Sequence, residues 1–291
     1  ARAVGFPLGR LIELPIDAVD DAVSRETRDI ATVVNNRVDD LTDLLLRLQP
    51  WAFVLIVGGI ILLLSRRLAL SLYVIVGLFA IYALDPSLDA RGETLWEATM
   101  YTTALVIFST VLAILIGVPL GTIGAIFGSI RNVLTPFLDF MQTLPPFVYL
   151  IPAIPFLGIG TAAALVTTVI FAVPPTIRLT ILGIRSVDPQ LTEAADAFGA
   201  TTWQKMRKVQ LPLALPSVRA GINQTVMLAL SMAVIAALIG AGGLGGQVWS
   251  AISRNEIGGA FEPGIAIVIV AMILDRVLAQ LGSSQKLAEV S

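Results

Sequence analysis

The sequence holds 291 residues, 56% of them apolar and 14% charged, with a mean hydropathy of +0.86 and a net charge of −2. Soluble domains run at roughly 45–50% apolar and about 25% charged, and a folded surface must carry polar groups, so this chain belongs in lipid. It has no Cys and no His, which removes disulfides, thiol and Ser–His nucleophiles and zinc sites of the usual ligand type, and its acidic balance gives nucleic acid no cationic footprint.

The first fifty residues differ from the rest. They carry six Arg and nine Asp or Glu, with Leu, Ile and Val at helical spacing from Leu11 to Leu48. With no short apolar core before a small-residue cleavage site, they are not read as a signal peptide. The pattern predicts an amphipathic N-terminal tail (1–50) of one or two helices, broken near Pro15, lying on the outer membrane surface or against a partner. The competing expectation is a solvated tail.

A helix needs roughly 20 apolar residues to cross a hydrocarbon core of about 30 Å. Trp51 to Leu64 and Leu68 to Leu84, separated by Ser65-Arg66-Arg67, read better as two short additional spans (51–84) than as one long helix with arginines at its centre. Five fuller spans follow: Leu95–Phe127, Val133–Leu157, Gly160–Ile184, Val218–Ile239 and Gly264–Leu281. The fold class expected is an all-α membrane protein of about seven transmembrane helices. Its core is the five-helix segment 95–281, with a loop at 185–217 and a short C-terminal tail at 282–291. Arg185, Lys205, Arg207, Lys208 and Arg219 cluster in or beside that loop, while the alternate loops hold only Arg91 and Arg254. The excess of basic residues puts the loop and the C-terminus in the cytoplasm and the N-terminus outside. No internal repeat of the inverted kind is evident.

Within the fourth span, Gln142 and Thr143 stand beside Pro145 and Pro146, followed by Phe147 and Tyr149. Proline frees backbone carbonyls that must be satisfied by protein or water at membrane depth, so a broken helix lining a pathway is expected here. Asn223 and Gln224 in the sixth span are amides that lipid penalises and that should face the bundle or a pore; interhelical hydrogen bonding alone is the plainer alternative. Arg178 reads as a cation reaching toward the interface. Gly240 to Gly246 lacks the lysine of a phosphate loop and reads as a tight, flexible turn. No nucleotide, metal or other cofactor is expected in this chain, and no catalysis.

The most informative stretch is Glu193-Ala194-Ala195-Asp196-Ala197-Phe198-Gly199, followed by Val209-Gln210-Leu211-Pro212. Asp188-Pro189 starts a helix whose Ala194, Ala195, Ala197 and Gly199 form a face almost without bulk, fit to seat in a groove of another protein. Glu193 is placed to pair with a cation across such a contact, and Leu211-Pro212 is expected to end the loop. This spacing resembles the EAA loop of the membrane subunits of ATP-binding-cassette importers, with Val209 where Ile is commoner. The likeness extends over residues 95–277, through Asp139–Leu150, Pro174–Ile184, Lys208–Leu213, Ala220–Met232 and Gly242–Gly245, to the permease subunit of glycine betaine/proline betaine/choline importers.

That resemblance implies a type I importer transmembrane domain in the bacterial inner membrane, working with a second copy of itself. It also implies two cytoplasmic ATPase subunits that hold ATP and Mg, and an extracytoplasmic substrate-binding protein. The coupling residues it implies are Glu193, Ala194, Ala195, Phe198, Gly199, Leu211 and Pro212. A quaternary ammonium ion is recognised by several aromatic faces, and Phe147 with Tyr149 are too few for a cage, so tight recognition is expected on the external protein. Choline, carnitine or trimethylamine N-oxide is the alternative cargo. A membrane scaffold or sensor without an ATPase partner is the alternative class.

Overall fold

The computed structural model describes residues 29–84 and 92–283, and these are helical apart from short connections. Residues 1–28, with the break expected near Pro15, and residues 284–291 of the tail lie outside the described residues. The helices are α1 (Asp29–Leu46), α2 (Pro50–Ser65), α3 (Leu68–Leu84), α4 (Leu95–Ile126), α5 (Gly128–Thr143), α6 (Pro146–Leu157) and α7 (Thr161–Arg185). After them come α8 (Pro189–Ala197), α9 (Thr202–Lys205), a π-helical turn (Met206–Gln210), α10 (Leu211–Ala236) with a 3-10 turn to Ile239, α11 (Gly243–Ser253) and α12 (Ile257–Ser283).

Among the described residues four helices are long and apolar enough to cross a bilayer: α4, α7, the continuous Thr202–Ile239 rod and α12. The bent pairs α1–α2 and α5–α6 raise that number to six. The remaining expected crossing is α3, whose 17 residues make a rod of about 26 Å. It pairs with the 16-residue α2 across a turn at Arg66, which takes a left-handed conformation (φ 54°). Ser71 Oγ donates to the Gly58 carbonyl at 2.8 Å and Ile75 fills the space over Gly58, so the two helices form an antiparallel hairpin.

The core is α7 held between α4 and α10, and close approach is what glycine provides there. On α4, Gly117 faces Thr176 and Val173, Gly121 faces Thr180 and the Ile177 carbonyl, and Gly124 faces Ile181. Residue numbers rise together, so α4 and α7 run parallel at a small-residue seam. On the other side Gly221 abuts the Pro175 carbonyl and Leu179, and Gly183 abuts Ser217 and the Ala214 carbonyl, so α10 runs antiparallel to α7. Thr225 Oγ donates to the Ala172 carbonyl at 2.9 Å and meets Thr176 Oγ at 2.7 Å inside this seam.

The broken helix expected at the prolines is present, though it starts earlier than Val133: α5 begins at Gly128, and the chain turns by 99° at Leu144-Pro145 before α6. One expectation is corrected: Gly240–Gly246 is not a flexible turn. Gly240 and Gly242 turn the chain with positive φ, but Gly243 to Gly246 are the buried first turn of α11. There a Cβ on Gly245 would come within 2.6 Å of the Val234 carbonyl, and Leu244 N–H donates to Thr102 Oγ at 2.9 Å.

Helix α1 turns 93° from α2. Ala31, Val34, Val38, Thr42 and Leu45 follow a helical stripe, and Val38 is completely buried in the main core cluster. Residues 29–46 of the amphipathic segment therefore lay one face on the chain's own bundle. On its outer side Asp39 is held above the ordinary carboxylate range, first by burial and then by its neighbours Asp43 and Asp40.

Candidate functional site

The loop between α7 and α10 is rigid for reasons that can be traced residue by residue. Asp188 caps α8, accepting from the Gln190 N–H at 2.9 Å, with Pro189 in the first helical position. At the other end the Gly199 N–H donates to the Asp196 carbonyl at 2.9 Å and the Ala200 N–H to the Ala195 carbonyl at 3.0 Å. That pair of bonds is a Schellman motif, and it requires Gly199 at φ +76°. Gly199 is thus the residue after the helix, not part of its small face, and nothing lies within 4 Å of where its Cβ would be.

Thr201 then starts α9 with a reciprocal capping box to Gln204. Lys205 Nζ grips both Asp196 oxygens, at 2.7 and 2.8 Å, and so ties α9 back to α8. Met206, 2% exposed, anchors the base of the loop among Ile184, Ala214 and Val218, beside Val118 and Ile126 of α4. Leu211-Pro212 does not end the loop. Pro212 has no N–H for the Lys208 carbonyl, and a π turn over Met206–Gln210 takes up the mismatch, so the helix runs unbroken from Thr202 to Ile239.

The outer surface of this loop is chemically bare. Glu193, Ala194 and Ala197 are exposed, Ala195 is half-buried, and Glu193 makes no hydrogen bond or ion pair among the described residues. Phe198 is 93% exposed at the apex. A fully solvated phenyl ring on a rigid turn is costly unless something covers it.

The α5–α6 bend is equally specific. Pro145 has no N–H for the Met141 carbonyl, and the Tyr149 hydroxyl donates to that carbonyl instead. The Tyr149 ring stands edge-on to Phe171 of α7 at 5.7 Å, which fixes α6 against the core. Thr143 Oγ donates to the Phe140 carbonyl at 2.8 Å. Gln142, Thr143, Pro145 and Phe147 are all exposed on the surface of the single chain.

Of the two amides on α10, Gln224 is exposed, whereas Asn223 Nδ2 donates to Asp275 Oδ1 of α12 at 3.3 Å and its own Oδ1 has no partner among the described residues. Asn223 therefore joins α10 to α12 and does not meet the α5–α6 bend. Arg178 does more than reach toward the interface: it pairs with Asp139 at 2.6 Å, bracing α7 to α5. Residue type and spacing picked out Tyr149 and the Glu193–Gly199 turn. The bracing pairs Arg178–Asp139 and Lys205–Asp196 carried no sequence signal, because their members are 39 and 9 residues apart.

Residues 117–283 match the family model described as "Binding-protein-dependent transport system inner membrane component". The chain is 48% identical over 250 residues to the glycine betaine/carnitine transport permease protein GbuB of Listeria monocytogenes, covering 85% of this chain and 86% of that one. It is 51% identical over 191 residues to the glycine betaine transport system permease protein OpuAB of Bacillus subtilis, covering 66% and 68%. In fold it resembles an inward-facing structure of the MetNI methionine ABC transporter, with a TM-score of 0.56 at 24% identity over 67% of this chain and 96% of that one. The apolar helices, the rigid exposed loop and these likenesses agree: the chain is a multi-pass membrane permease subunit that belongs to the family of binding-protein-dependent transport system inner membrane components.

Proposed function

We propose that this chain forms the translocation pathway of an ATP-driven importer of glycine betaine or a related methylated ammonium solute. A second copy of the chain, two ABC ATPase subunits and an external substrate-binding protein complete the assembly. The observation that carries the proposal is the loop at residues 185–217. Its solvated Phe198 apex is braced by the Schellman turn and the Lys205–Asp196 pair, and it continues without a break into a 38-residue helix. A force applied at Phe198 is delivered along a rod to the far end of the bundle, which is what coupling to a motor requires. Glu193, Ala194, Ala195, Phe198 and Gly199 make the docking surface, and Leu211 and Pro212 belong to the rod. ATP and Mg reside on the partner.

The second copy is favoured by the polar groups that a single chain leaves open. Gln142 and Gln224 are exposed within membrane segments, where lipid leaves amides unsatisfied. A facing copy encloses them with water in a pathway, so Gln142, Thr143, Pro145, Phe147, Tyr149, Asn223 and Gln224 remain the residues assigned to its lining or to its support. The loop faces the cytoplasm of a bacterial cell, with the N-terminus outside and the C-terminus inside. The solute reading rests on the two relatives at 48% and 51% identity. The test is co-purification of a Walker-motif ATPase with the wild type and with Phe198→Asp, together with uptake of labelled glycine betaine in competition with choline and carnitine. Retention of the ATPase by Phe198→Asp at wild-type level overturns the docking surface. Uptake that glycine betaine does not saturate overturns the solute class.

A further inference from the structure

Helix α5 carries a polar face that the bundle does not cover. Asn132, Thr135, Asp139, Gln142 and Thr143 recur at helical spacing, so they share one face, and all five are exposed on the single chain. The other side of the helix presents Val133, Phe137 and Phe140, equally exposed. One side of α5 suits lipid and the other does not.

Contacts with α7 fix the depth of this face. Leu134 and Ile181 close together over Gly124, and Asp139 pairs with Arg178 at 2.6 Å. Tyr149, whose hydroxyl holds the Met141 carbonyl, stands against Phe171. As α5 advances from 134 to 141, its neighbours on α7 therefore step back from 181 through 178 to 171. The helix climbs antiparallel to α7 from the end that bears the exposed loop. Phe171 lies near the middle of α7, a helix long enough to cross a bilayer, so Gln142 and Thr143 stand near mid-membrane.

Hydrocarbon does not suit such a face. The side chains of Asp139 and Arg178 remain 57% and 42% exposed, and lipid against so open an ion pair leaves both charges poorly solvated. The Asn132 and Gln142 amides make no hydrogen bond among the described residues, so they too need water. The Thr135 and Thr143 hydroxyls are already satisfied by the Arg131 and Phe140 carbonyls, and the argument rests on the amides and the ion pair.

We infer that the polar face of α5 lines a water-filled exit running from mid-membrane to the loop side, and that Asp139 and Arg178 keep this exit electrically neutral. The inference rests on the proposed pathway and adds Asn132, Thr135, Asp139 and Arg178 to its lining. A lone carboxylate there would hold a cationic solute and a lone guanidinium an anionic one. The pair presents no net charge to a solute that is itself neutral overall.

The test uses the assembled importer in inside-out vesicles without nucleotide, and an introduced thiol is the only one in this chain. Gln142→Cys is treated with methanethiosulfonate reagents carrying a trimethylammonium or a sulfonate group, and Phe137→Cys is the control on the apolar side of α5. Gln142→Cys should react with both reagents and Phe137→Cys with neither. Asp139 stands one helical turn from Gln142. At low ionic strength Asp139→Asn should therefore lower the cationic-to-anionic rate ratio about tenfold, and Arg178→Gln should raise it by a similar factor. The double substitution should restore the parent ratio, which a merely loosened helix does not do. An unreactive Gln142→Cys, equal reaction at both positions, or a ratio that fails to move in opposite directions in the two charge variants overturns the inference. The labelling needs no cargo, so an importer that labels as expected but takes up no glycine betaine loses only its cargo assignment.

Discussion

Substituting Gly199 separates two reasons for its presence. Its φ of +76° lies in the left-handed region, which costs an ordinary L residue roughly 1–2 kcal/mol, while Asn tolerates it better. Within this chain no steric term adds to that cost, since a Cβ would meet nothing within 4 Å. Gly199→Leu should therefore depopulate the capped turn by a factor of about 5–30, releasing the bonds from Gly199 N–H to Asp196 and from Ala200 N–H to Ala195. If the apex also seats in a groove of the ATPase, the added volume costs about 1–3 kcal/mol more. The assay is substrate-stimulated ATP hydrolysis and solute uptake in proteoliposomes holding the permease, its ATPase and the binding protein. Activity should fall in the order Gly, Asn, Ala, Leu. Asn as damaging as Leu would replace the conformational reason with a purely steric one. A Leu variant as active as the wild type would refute both.

Other consequences follow from single contacts. Tyr149→Phe leaves the Met141 carbonyl orphaned beside Pro145 and should cost about 1–3 kcal/mol, read as a Tm a few degrees lower in detergent; an unchanged Tm would mean that water replaces the hydroxyl. Gly121→Ala puts a methyl within 2.6 Å of Thr180 Cβ and 2.8 Å of the Ile177 carbonyl, so α4 and α7 must part and the fold should lose about 1–3 kcal/mol or more, measured by thermal unfolding; wild-type stability would contradict the tight seam. A thiol at Thr201→Cys should react with an impermeant reagent only from the cytoplasmic side and one at Ser253→Cys only from outside, against a background without native cysteines. Labelling of both from one side would overturn the alternation of α10.

Composition and spacing determined much of this protein before any tertiary contact was considered. Apolar run length located α4, α7 and α12, because a bilayer of fixed thickness imposes a length on any helix that crosses it. The Arg66-Arg67 pair divided α2 from α3, since charges at mid-membrane cost more than a turn. The prolines at 145 and 146 were legible because the constraint behind them is local, a missing N–H, whereas Gly199 read as part of a bulk-free face until the Schellman turn placed it after the helix. The tertiary structure decided what depends on neighbours distant in sequence. Pro212 looked like a stop until the π turn absorbed it. Gly243 and Gly245 looked like slack until Thr102 and Val234 closed over them. The N-terminal stripe had an apolar face whatever it packed on, and only the burial of Val38 in the main cluster identified its own bundle as the surface beneath it. Arg178 and Lys205 were cations of unspecified purpose until the fold brought Asp139 and Asp196 to them. An ion pair across 39 residues leaves no periodicity along the chain, because its geometry exists only once α5 and α7 have packed.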